Sequence, residues 1–201
     1  SSLTQGLLAF SRKQETNPVL VNLNDIITRI QKLLLRLITE EIELKQELDS
    51  RPLSIMADGI QIEQVVMNLV TNARDAMPDG GTITIHTEQT RLDDQFIARH
   101  GFGTPGPYAC LSVSDTGAGI DEETLKRIFD PFYTTKETGK GTGLGLSIIY
   151  GIIKKHNGHI TCDSTPGKGT CFSIYLPLLA GSVPEEPKPE ESSDFTGGTE
   201  V

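Results

Sequence analysis

Two asparagines four residues apart, Asn68 and Asn72, are side chains whose type and spacing could do chemistry. On a helix, both amides project from one face, one turn apart. An amide oxygen can ligate Mg²⁺, a hard ion that is usually shared with the phosphates of a substrate. The alternative is that the amides only bond neighbouring backbone or water, and the pair by itself favours that alternative.

A carboxylate, Asp115, begins the segment DTGAGI directly after a predicted strand. The glycines Gly117 and Gly119 would allow a flat ligand to approach the backbone closely. A carboxylate only accepts hydrogen bonds, so it can bind the exocyclic amine of adenine and would repel the carbonyl oxygen of guanine. An ordinary Asp-x-Gly turn explains the segment equally well.

A glycine-rich run, GKGTGLG from Gly139 to Gly145, leads into a predicted helix. Backbone N–H groups at such a helix start can bind phosphate oxygens at the positive end of the helix dipole. The run is not a Walker sequence, because no Lys-Ser/Thr follows its last glycine. The preceding FDPFYTTK, Phe129 to Lys136, adds aromatic anchors, hydroxyls and a lysine, although a surface loop pinned by two aromatics is its simpler interpretation.

Hydrophobic periodicity predicts the elements that position these residues. One amphipathic helix should start with Asn24 or Asp25 as its N-cap, a second should run from Asp58 to about Met77, and a third from about Leu144 to His156. Strands are predicted over 41–48, 53–56, 82–90, 108–114, 159–164 and 170–176, and residues 92–107 form a loop with one short helical turn. The predicted fold class is a two-layer α/β (α+β) sandwich with helices on one face of a mixed, largely antiparallel sheet.

Composition limits the classes of protein to which the chain can belong. Its 201 residues, 36% of them hydrophobic, suffice for one core. Three scattered cysteines suggest neither a disulfide framework nor a zinc site, which fits a reducing cytoplasm. The net charge of -9 argues against a nucleic-acid surface, and no apolar run reaches the roughly 20 residues of a membrane span. Residues 184–201 are acidic and rich in Pro, Ser and Gly, which is typical of a disordered linker.

In this order and at these spacings, the motifs resemble the N, G1, F and G2 boxes of histidine kinases. NLVTNARDAM (68–77), DTGAGI, FDPFYTTK and GKGTGLGLS match that family's pattern, and residues 167–170 resemble its last glycine-threonine element. The resemblance covers roughly residues 17–178. It implies the GHKL (Bergerat) ATP-binding fold and the ATP-binding catalytic domain of a sensor histidine kinase.

The resemblance also implies a site for ATP and Mg²⁺. Asn72 would ligate Mg²⁺, Asn68 would assist it or its water, and Asp115 would bind adenine. Gly117 and Gly119 would line the base pocket, and Thr170 would bond to Asp115 or to a water beside it. The phosphates would be held beneath a mobile lid over residues 131–141 by Lys136, Gly141, Gly143 and Leu144. Asn68 and Lys136 are the implied catalytic residues. The full implied set around the nucleotide is Asn68, Asn72, Asp115, Gly117, Gly119, Ile120, Lys136, Gly141, Thr142, Gly143, Leu144, Gly145 and Thr170.

Hydrolytic relatives with this fold, such as gyrase, carry a glutamate one helical turn before the Mg²⁺ asparagine, where this chain has Asn68. A neutral amide cannot take a proton from water, so the resemblance favours phosphoryl transfer over hydrolysis. Two alternatives stay open: an ATPase, and a regulatory module of the same fold that binds a nucleotide or cyclic dinucleotide without catalysis.

None of the four histidines, His86, His100, His156 and His159, fits the family's phosphoacceptor pattern. Residues 1–14 resemble the end of the family's phosphoacceptor hairpin, residues 15–179 the catalytic domain, and residues 180–201 a linker that leads either toward a receiver domain or into an unstructured tail. We therefore expect a cytoplasmic chain, without nucleic-acid or membrane contact, that cannot phosphorylate itself. Its expected partners are a dimeric phosphoacceptor hairpin of the same parent protein, which could itself be membrane-anchored, and the receiver domain of a response regulator.

Overall fold

A computed structural model of the protein describes residues 16–136 and 141–179. The expected hairpin end and the acidic linker therefore lie outside the described residues. In chain order the elements are β1 (Val19–Asn22), α1 (Leu23–Leu37), β2 (Ile42–Glu47), β3 (Ser54–Ala57), α2 (Gly59–Asp75), β4 (Gly81–Leu92), α3 (Asp94–His100), β5 (Gly106–Asp115), α4 (Glu122–Leu125), α5 (Gly145–Lys155), β6 (His159–Thr165) and β7 (Gly169–Pro177).

Five strands form one sheet in the order β2-β4-β5-β7-β6, with β5 at its centre. Only the β2–β4 pair is parallel, and the other neighbours are antiparallel. The prediction of a mixed, largely antiparallel sheet is confirmed. The short strand β1 was not predicted, and it pairs with β3 in a separate two-stranded sheet.

The core lies between the five-stranded sheet and the helices α1, α2 and α5. Alternate residues of each strand face these helices, as the period of two requires. The helices bury apolar stripes against them, including Ile26, Ile30 and Leu34 of α1, Val66, Leu69 and Val70 of α2, and Ile149 and Ile153 of α5. The predicted layer of helices on one face is thereby confirmed. Within the described ranges, no helix combines the length and the apolar character that crossing a membrane needs.

Helix α3 lies on the opposite face of the sheet, where the sequence predicted a loop with one helical turn. Asp93 caps it by accepting the N–H of Phe96 at 2.7 Å. The ring of Phe96 lies 5.3 Å from that of Tyr175, and Phe102 just beyond α3 stacks on His159 at 4.4 Å. These two sheet residues alternate with core-facing isoleucines, so the aromatic contacts hold α3 on the face away from the core.

The start of α1 lies two or three residues before the predicted one. Its N-cap is Asn22, whose Oδ1 accepts the N–H of Asn24 at 3.2 Å and that of Leu53 at 3.0 Å. The predicted cap Asn24 instead donates its side-chain amide to the carbonyl of Asp49 at 2.8 Å. The predicted cap of α2 is confirmed, because Asp58 accepts the N–H groups two and three residues ahead.

His156 has a larger structural role than the cap-region position that the sequence suggested. Its imidazole is buried, with Nδ1 2.8 Å from the carbonyl of Ile152 and Nε2 2.9 Å from the backbone N–H of Asp58. The N–H of Asp58 needs an acceptor, so the ring carries its proton on Nδ1. The histidine thus joins the end of α5 to the start of α2.

The carboxylate of Asp49 fastens the segment after β2 to strand β4. It accepts the side chain of Arg51 at 2.7 Å and the backbone N–H of Gln89 at 2.9 Å. The bonds from Arg51 hold the pKa of Asp49 well below its usual value near 3.8. A lowered pKa means that the unfolded state binds this proton more readily, so the stabilisation is complete above the usual pKa and is lost as the pH falls below it.

Replacing Asp49 with asparagine should therefore lower the free energy of unfolding at pH 7 by about 1–3 kcal/mol, because charged hydrogen bonds are lost. The deficit relative to the natural sequence should narrow below about pH 4, where Asp49 in the unfolded natural chain begins to be protonated while the folded state keeps it ionised. Urea unfolding at several pH values measures both. The control is Glu40→Gln, which removes an exposed carboxylate, and a deficit that does not change with pH would contradict the assignment.

Candidate functional site

One face of α2 carries both predicted amides. Asn68 and Asn72 lie one turn apart and half-buried at the edge of the apolar stripe that faces the core. Within the described residues, the side-chain hydrogen bonds of α2 involve its two ends and Glu63, and neither asparagine takes part in one. Both amide oxygens therefore lack a protein partner among these residues and could accept a ligand.

Asp115 ends the central strand β5, opposite Ile83 of β4 and Thr170 of β7. Its Oδ1 accepts the backbone N–H of Gly117 at 2.8 Å. Burial raises the pKa of this carboxyl, and the backbone N–H groups of Gly117 and Thr170 offset only part of that rise. The ionised form thus costs stability at neutral pH, as expected for a carboxylate kept for binding rather than for folding.

The loop after Asp115 is fixed from two sides by hydrogen bonds. Ala118 donates its N–H to the carbonyl of Ala76 at the end of α2, and its own carbonyl accepts the N–H of Gly167 at 2.7 Å. The N–H of Ile120 bonds the hydroxyl of Ser164 at 2.8 Å. The loop is therefore clamped between α2 and the β6–β7 hairpin.

Three glycines are needed because backbone segments approach one another closely at this clamp. A Cβ on Gly117 would lie 2.6 Å from the carbonyl oxygen of Ala76. Gly119 and Gly169 have φ of 71° and 98°, and a Cβ on Gly169 would overlap the carbonyl of Asp115. Side chains at these positions would force neighbouring backbone segments apart, so packing already requires Gly117 and Gly119, the two glycines that were predicted to admit a ligand.

Thr170 lies opposite Asp115 on the neighbouring strand β7, and its bond to Asp115 or to a water beside it stays a prediction. Its buried hydroxyl is 2.9 Å from the hydroxyl of Ser164, which also donates to the carbonyl of Gly169 at 3.0 Å. A cleft of about 280 Å³ opens beside Asp115 and Thr170 at this end of the sheet. A larger one, about 450 Å³, lies near His159 and contains none of the predicted site residues.

At the start of α5, the backbone N–H groups have no partner within residues 16–136 and 141–179. No side chain caps it among the described residues, and its first helical bond is from Ile148 to the carbonyl of Leu144 at 2.9 Å. The N–H groups of residues 145–147 precede that bond, so they have no acceptor within the helix. In the described part of the chain, nothing lies within 4 Å of a Cβ built on Gly145. The geometry suits an anion at this helix end.

The glycines before α5 pack against the FDPFYTTK segment. Gly143 has φ of 65° and accepts the N–H of Phe132 at 2.9 Å, and a Cβ on it would overlap the Phe132 backbone. Gly141 lies against Thr134, whose hydroxyl would be 2.6 Å from an added Cβ. The exposed Thr142 accepts the N–H of Leu144 at 3.4 Å. Residues 137–140 of the predicted lid lie outside the described residues.

Aromatic contacts hold the first part of FDPFYTTK. Phe129 lies 5.5 Å from the ring of Tyr150 on α5, and the guanidinium of Arg127 lies over Tyr133 at 4.4 Å. The last residue of the segment, Lys136, does not point into open solvent. Its Nζ bonds Asp75 on α2 at 2.6 Å, which brings the lysine to the helix that carries the two asparagines.

The donor set fits Mg²⁺ only if a substrate supplies oxygens too. Among the described residues, no group of three or more His, Cys, Asp or Glu side chains could hold a metal. Asn68 and Asn72 offer neutral amide oxygens, which suit a hard ion that keeps several waters and shares phosphate ligands. These residues fit a phosphate-bound ion and do not form a metal cage by themselves.

Two residues at the site, Asp75 and Ser164, were not predicted from the sequence. Asp75 follows Asn68 by seven positions, so helical periodicity could have placed it on the same face. Ser164 bonds the loop after Asp115, but it is separated from its partner by 44 residues and no local pattern signals it.

Comparison with known proteins supports the resemblance. Residues 57–180 match the family model described as histidine kinase-, DNA gyrase B- and HSP90-like ATPase. The chain is 44% identical to the sensor kinase CckA of Brucella abortus over all of its own length and 22% of that protein's. It is 37% identical to the sensor histidine kinase ZraS of Salmonella typhi, covering 80% of the chain and 31% of ZraS. The chain thus spans less than a third of these curated relatives.

Solved structures agree with the fold. The catalytic domain of histidine kinase ThkA has a TM-score of 0.59 and 32% identity, covering 80% of this chain and 95% of that domain. Full-length ShkA in complex with AMPPNP has a TM-score of 0.71 at 22% identity, over 90% of this chain and 36% of ShkA, and shows the fold alone. The family model covers more than half of the chain, and the relatives and the solved catalytic domain agree with it. This chain therefore belongs to the histidine kinase-, DNA gyrase B- and HSP90-like ATPase family.

Proposed function

We propose that this chain is the ATP-binding catalytic domain of a two-component sensor histidine kinase. It would pass the γ-phosphoryl group of ATP to a histidine on a helical-hairpin domain. The observation that carries the proposal is the half-buried carboxylate of Asp115, held at the end of the central strand at a cost to stability. The side chain only accepts hydrogen bonds at neutral pH, which selects the exocyclic amine of adenine.

The other predicted residues would contact the base, the phosphates and the Mg²⁺ ion. With adenine at Asp115, Gly117, Gly119, Ile120 and Thr170 would surround the base. The phosphates would meet the uncapped start of α5, where residues 141–145 enter the helix, and the ammonium of Lys136. Asn72, assisted by Asn68, would hold Mg²⁺, which supplies charge neutralisation on the phosphates.

Transfer is favoured over hydrolysis because the helix face offers no free base. Asn68 stands where the hydrolytic relatives carry a glutamate, and an amide cannot accept a proton from water. The carboxylate further along the face, Asp75, is bonded to Lys136 and Arg74. ATP would therefore persist until another nucleophile is brought to the γ-phosphate.

The proposed partners follow from this chemistry. A dimeric phosphoacceptor hairpin of the parent protein would supply the histidine, and a response-regulator receiver domain would accept the phosphoryl group from it. The names of the relatives as sensor kinases support this assignment. We infer a cytoplasmic location, where ATP is available.

Replacing Asp115 with asparagine should weaken ATP binding by about 10- to 100-fold, since a charge-assisted hydrogen bond to adenine is lost. The preference for ATP over GTP should shrink as well, because an amide can donate to the guanine carbonyl. Without nucleotide, the variant should be more stable than the natural sequence near pH 7, and this gain should vanish below about pH 4, where Asp115 is itself protonated.

Calorimetric titration and thermal unfolding of the same samples measure these effects. The matched control is Asp163→Asn, which removes an exposed carboxylate on strand β6 that lines the same cleft. Unchanged ATP affinity in a well-folded Asp115 variant would remove Asp115 from the nucleotide site.

Phosphoryl transfer tests the reaction itself. The chain is incubated with γ-labelled ATP, Mg²⁺ and a purified hairpin dimer that bears the acceptor histidine. Label should appear on the hairpin as an acid-labile, base-stable phosphohistidine, and none should appear on this chain alone. A hairpin with the acceptor histidine replaced by glutamine is the control.

The alternatives give distinct results in that assay. Rapid release of inorganic phosphate without a hairpin would support an ATPase and contradict the proposal. ATP binding without either transfer or hydrolysis would support a regulatory module that only binds nucleotide.

A further inference from the structure

An ion-pair cluster joins the FDPFYTTK segment to the end of α2. The Nζ of Lys136 donates to Oδ2 of Asp75 at 2.6 Å. The other carboxylate oxygen accepts Nε and Nη2 of Arg74, at 3.0 Å and 2.7 Å. Lys136 and Asp75 are both partly covered, with side chains 36% and 28% exposed. Asp75 thus has two cationic partners that bind different oxygens.

The cluster lies in line with the proposed metal and phosphate residues. Asp75 follows Asn72 by three residues and Asn68 by seven, so the three side chains share one face of α2. Partial burial alone would raise the pKa of Asp75, but hydrogen bonds from Lys136 and Arg74 outweigh it, and the pKa lies below its usual value. The carboxylate is therefore ionised at neutral pH, next to the place proposed for a triphosphate.

Two anions would then require the same ammonium group. Phosphate oxygens and the Asp75 carboxylate both attract Lys136, and they repel each other at short range. A triphosphate carries more negative charge than one carboxylate, so it can draw the lysine away.

Asp75 would not be left without a partner after such an exchange. Arg74 stays bonded to its Oδ1, and Nη1 of the same guanidinium is anchored on the carbonyl of Leu37 at 2.9 Å. The cost of releasing Lys136 is therefore limited to one partly exposed ion pair. An unpaired, half-buried carboxylate would have made the exchange far more costly.

We propose that Asp75 is a positioning residue that holds Lys136 beside α2 when no nucleotide is bound and yields it to the phosphates of ATP. The inference rests on the proposed nucleotide site. Asp75 keeps the lysine within reach of the phosphates and, as their competitor, lowers the affinity for ATP. The triphosphate must therefore compete with the Asp75 carboxylate for Lys136. A ligand without phosphates does not compete for the lysine, so its affinity should not depend on Asp75.

The test is a double-mutant cycle on ATP binding, measured by calorimetry with Mg²⁺. Asp75→Asn should tighten ATP binding by about two- to fivefold, as expected when a competing, partly exposed ion pair is removed. Lys136→Met should weaken it. In the Lys136→Met background, the Asp75 substitution should change affinity by less than about 1.5-fold, because the shared ammonium is gone.

Glu63→Gln is the matched control, since Glu63 lies on the same helix and pairs with Arg29 away from this cluster. It should leave ATP affinity unchanged. Adenosine, which lacks phosphates, should bind the natural sequence and Asp75→Asn equally well. Thermal unfolding without nucleotide measures the effect of Asp75→Asn and Lys136→Met on stability. If the two side chains form an ion pair in the free protein, the effects of the two substitutions should not be additive.

Three results would overturn the inference. Weaker ATP binding by Asp75→Asn would mean that the carboxylate assists the nucleotide. Equal tightening with and without Lys136 would indicate simple charge repulsion, and additive effects on unfolding would deny the ion pair. If the natural sequence binds no ATP at all, the proposed function itself is wrong. If the natural sequence binds ATP but any of the three results is found, only the proposed exchange of Lys136 is wrong.

Discussion

The carboxylate of Asp115 is held by a set of close backbone contacts on which the rest of the site depends. It ends the central strand, so its position follows from the registers of β4–β5 and β5–β7. The loop after it is bonded to the end of α2 on one side and to the β6–β7 hairpin on the other. Because a Cβ on Gly117 or Gly169 would collide with neighbouring backbone, the clamp tolerates little displacement.

The same clamp relates the base site to the phosphate site. Ala76, which bonds the loop after Asp115, follows directly after the last residue of α2, the helix that carries the two asparagines. A shift of this helix end would move the carboxylate and the amides together. Burial raises the pKa of Asp115, so ionisation of the carboxylate works against folding while the backbone contacts of the clamp hold the loop. The protein holds a charged acceptor where folding alone would favour a neutral one.

Local patterns predicted the long elements well, and long-range contacts account for what they missed. The apolar stripes of α1, α2 and α5 follow the helical period, so these helices and the Asp58 cap could be predicted from the sequence. Strand β1 is defined by its pairing with β3, more than 30 residues further along the chain. Helix α3 depends on Phe96 meeting Tyr175, far along the chain. Periodicity has no information about such pairs.

In the candidate site, too, local motifs predicted residues but not their contacts with distant parts of the chain. Motif order predicted roles for Asn72, Asp115 and the glycines before α5, and the structure places Asp115 opposite Thr170. The Lys136–Asp75 pair spans 61 residues, and a motif that names a lysine does not name its partner. Likewise, the predicted closeness of glycines to a ligand did not reveal that backbone packing already requires them.

We propose that this chain holds an adenine-selective site for Mg²⁺ and ATP. Calorimetric titration of the chain with ATP, ADP and GTP, with and without Mg²⁺, is the decisive measurement. We expect measurable binding of ATP and ADP, at least tenfold weaker binding of GTP, and ATP binding that weakens when Mg²⁺ is removed. Failure of well-folded protein to bind ATP, or equal affinity for ATP and GTP, would contradict it.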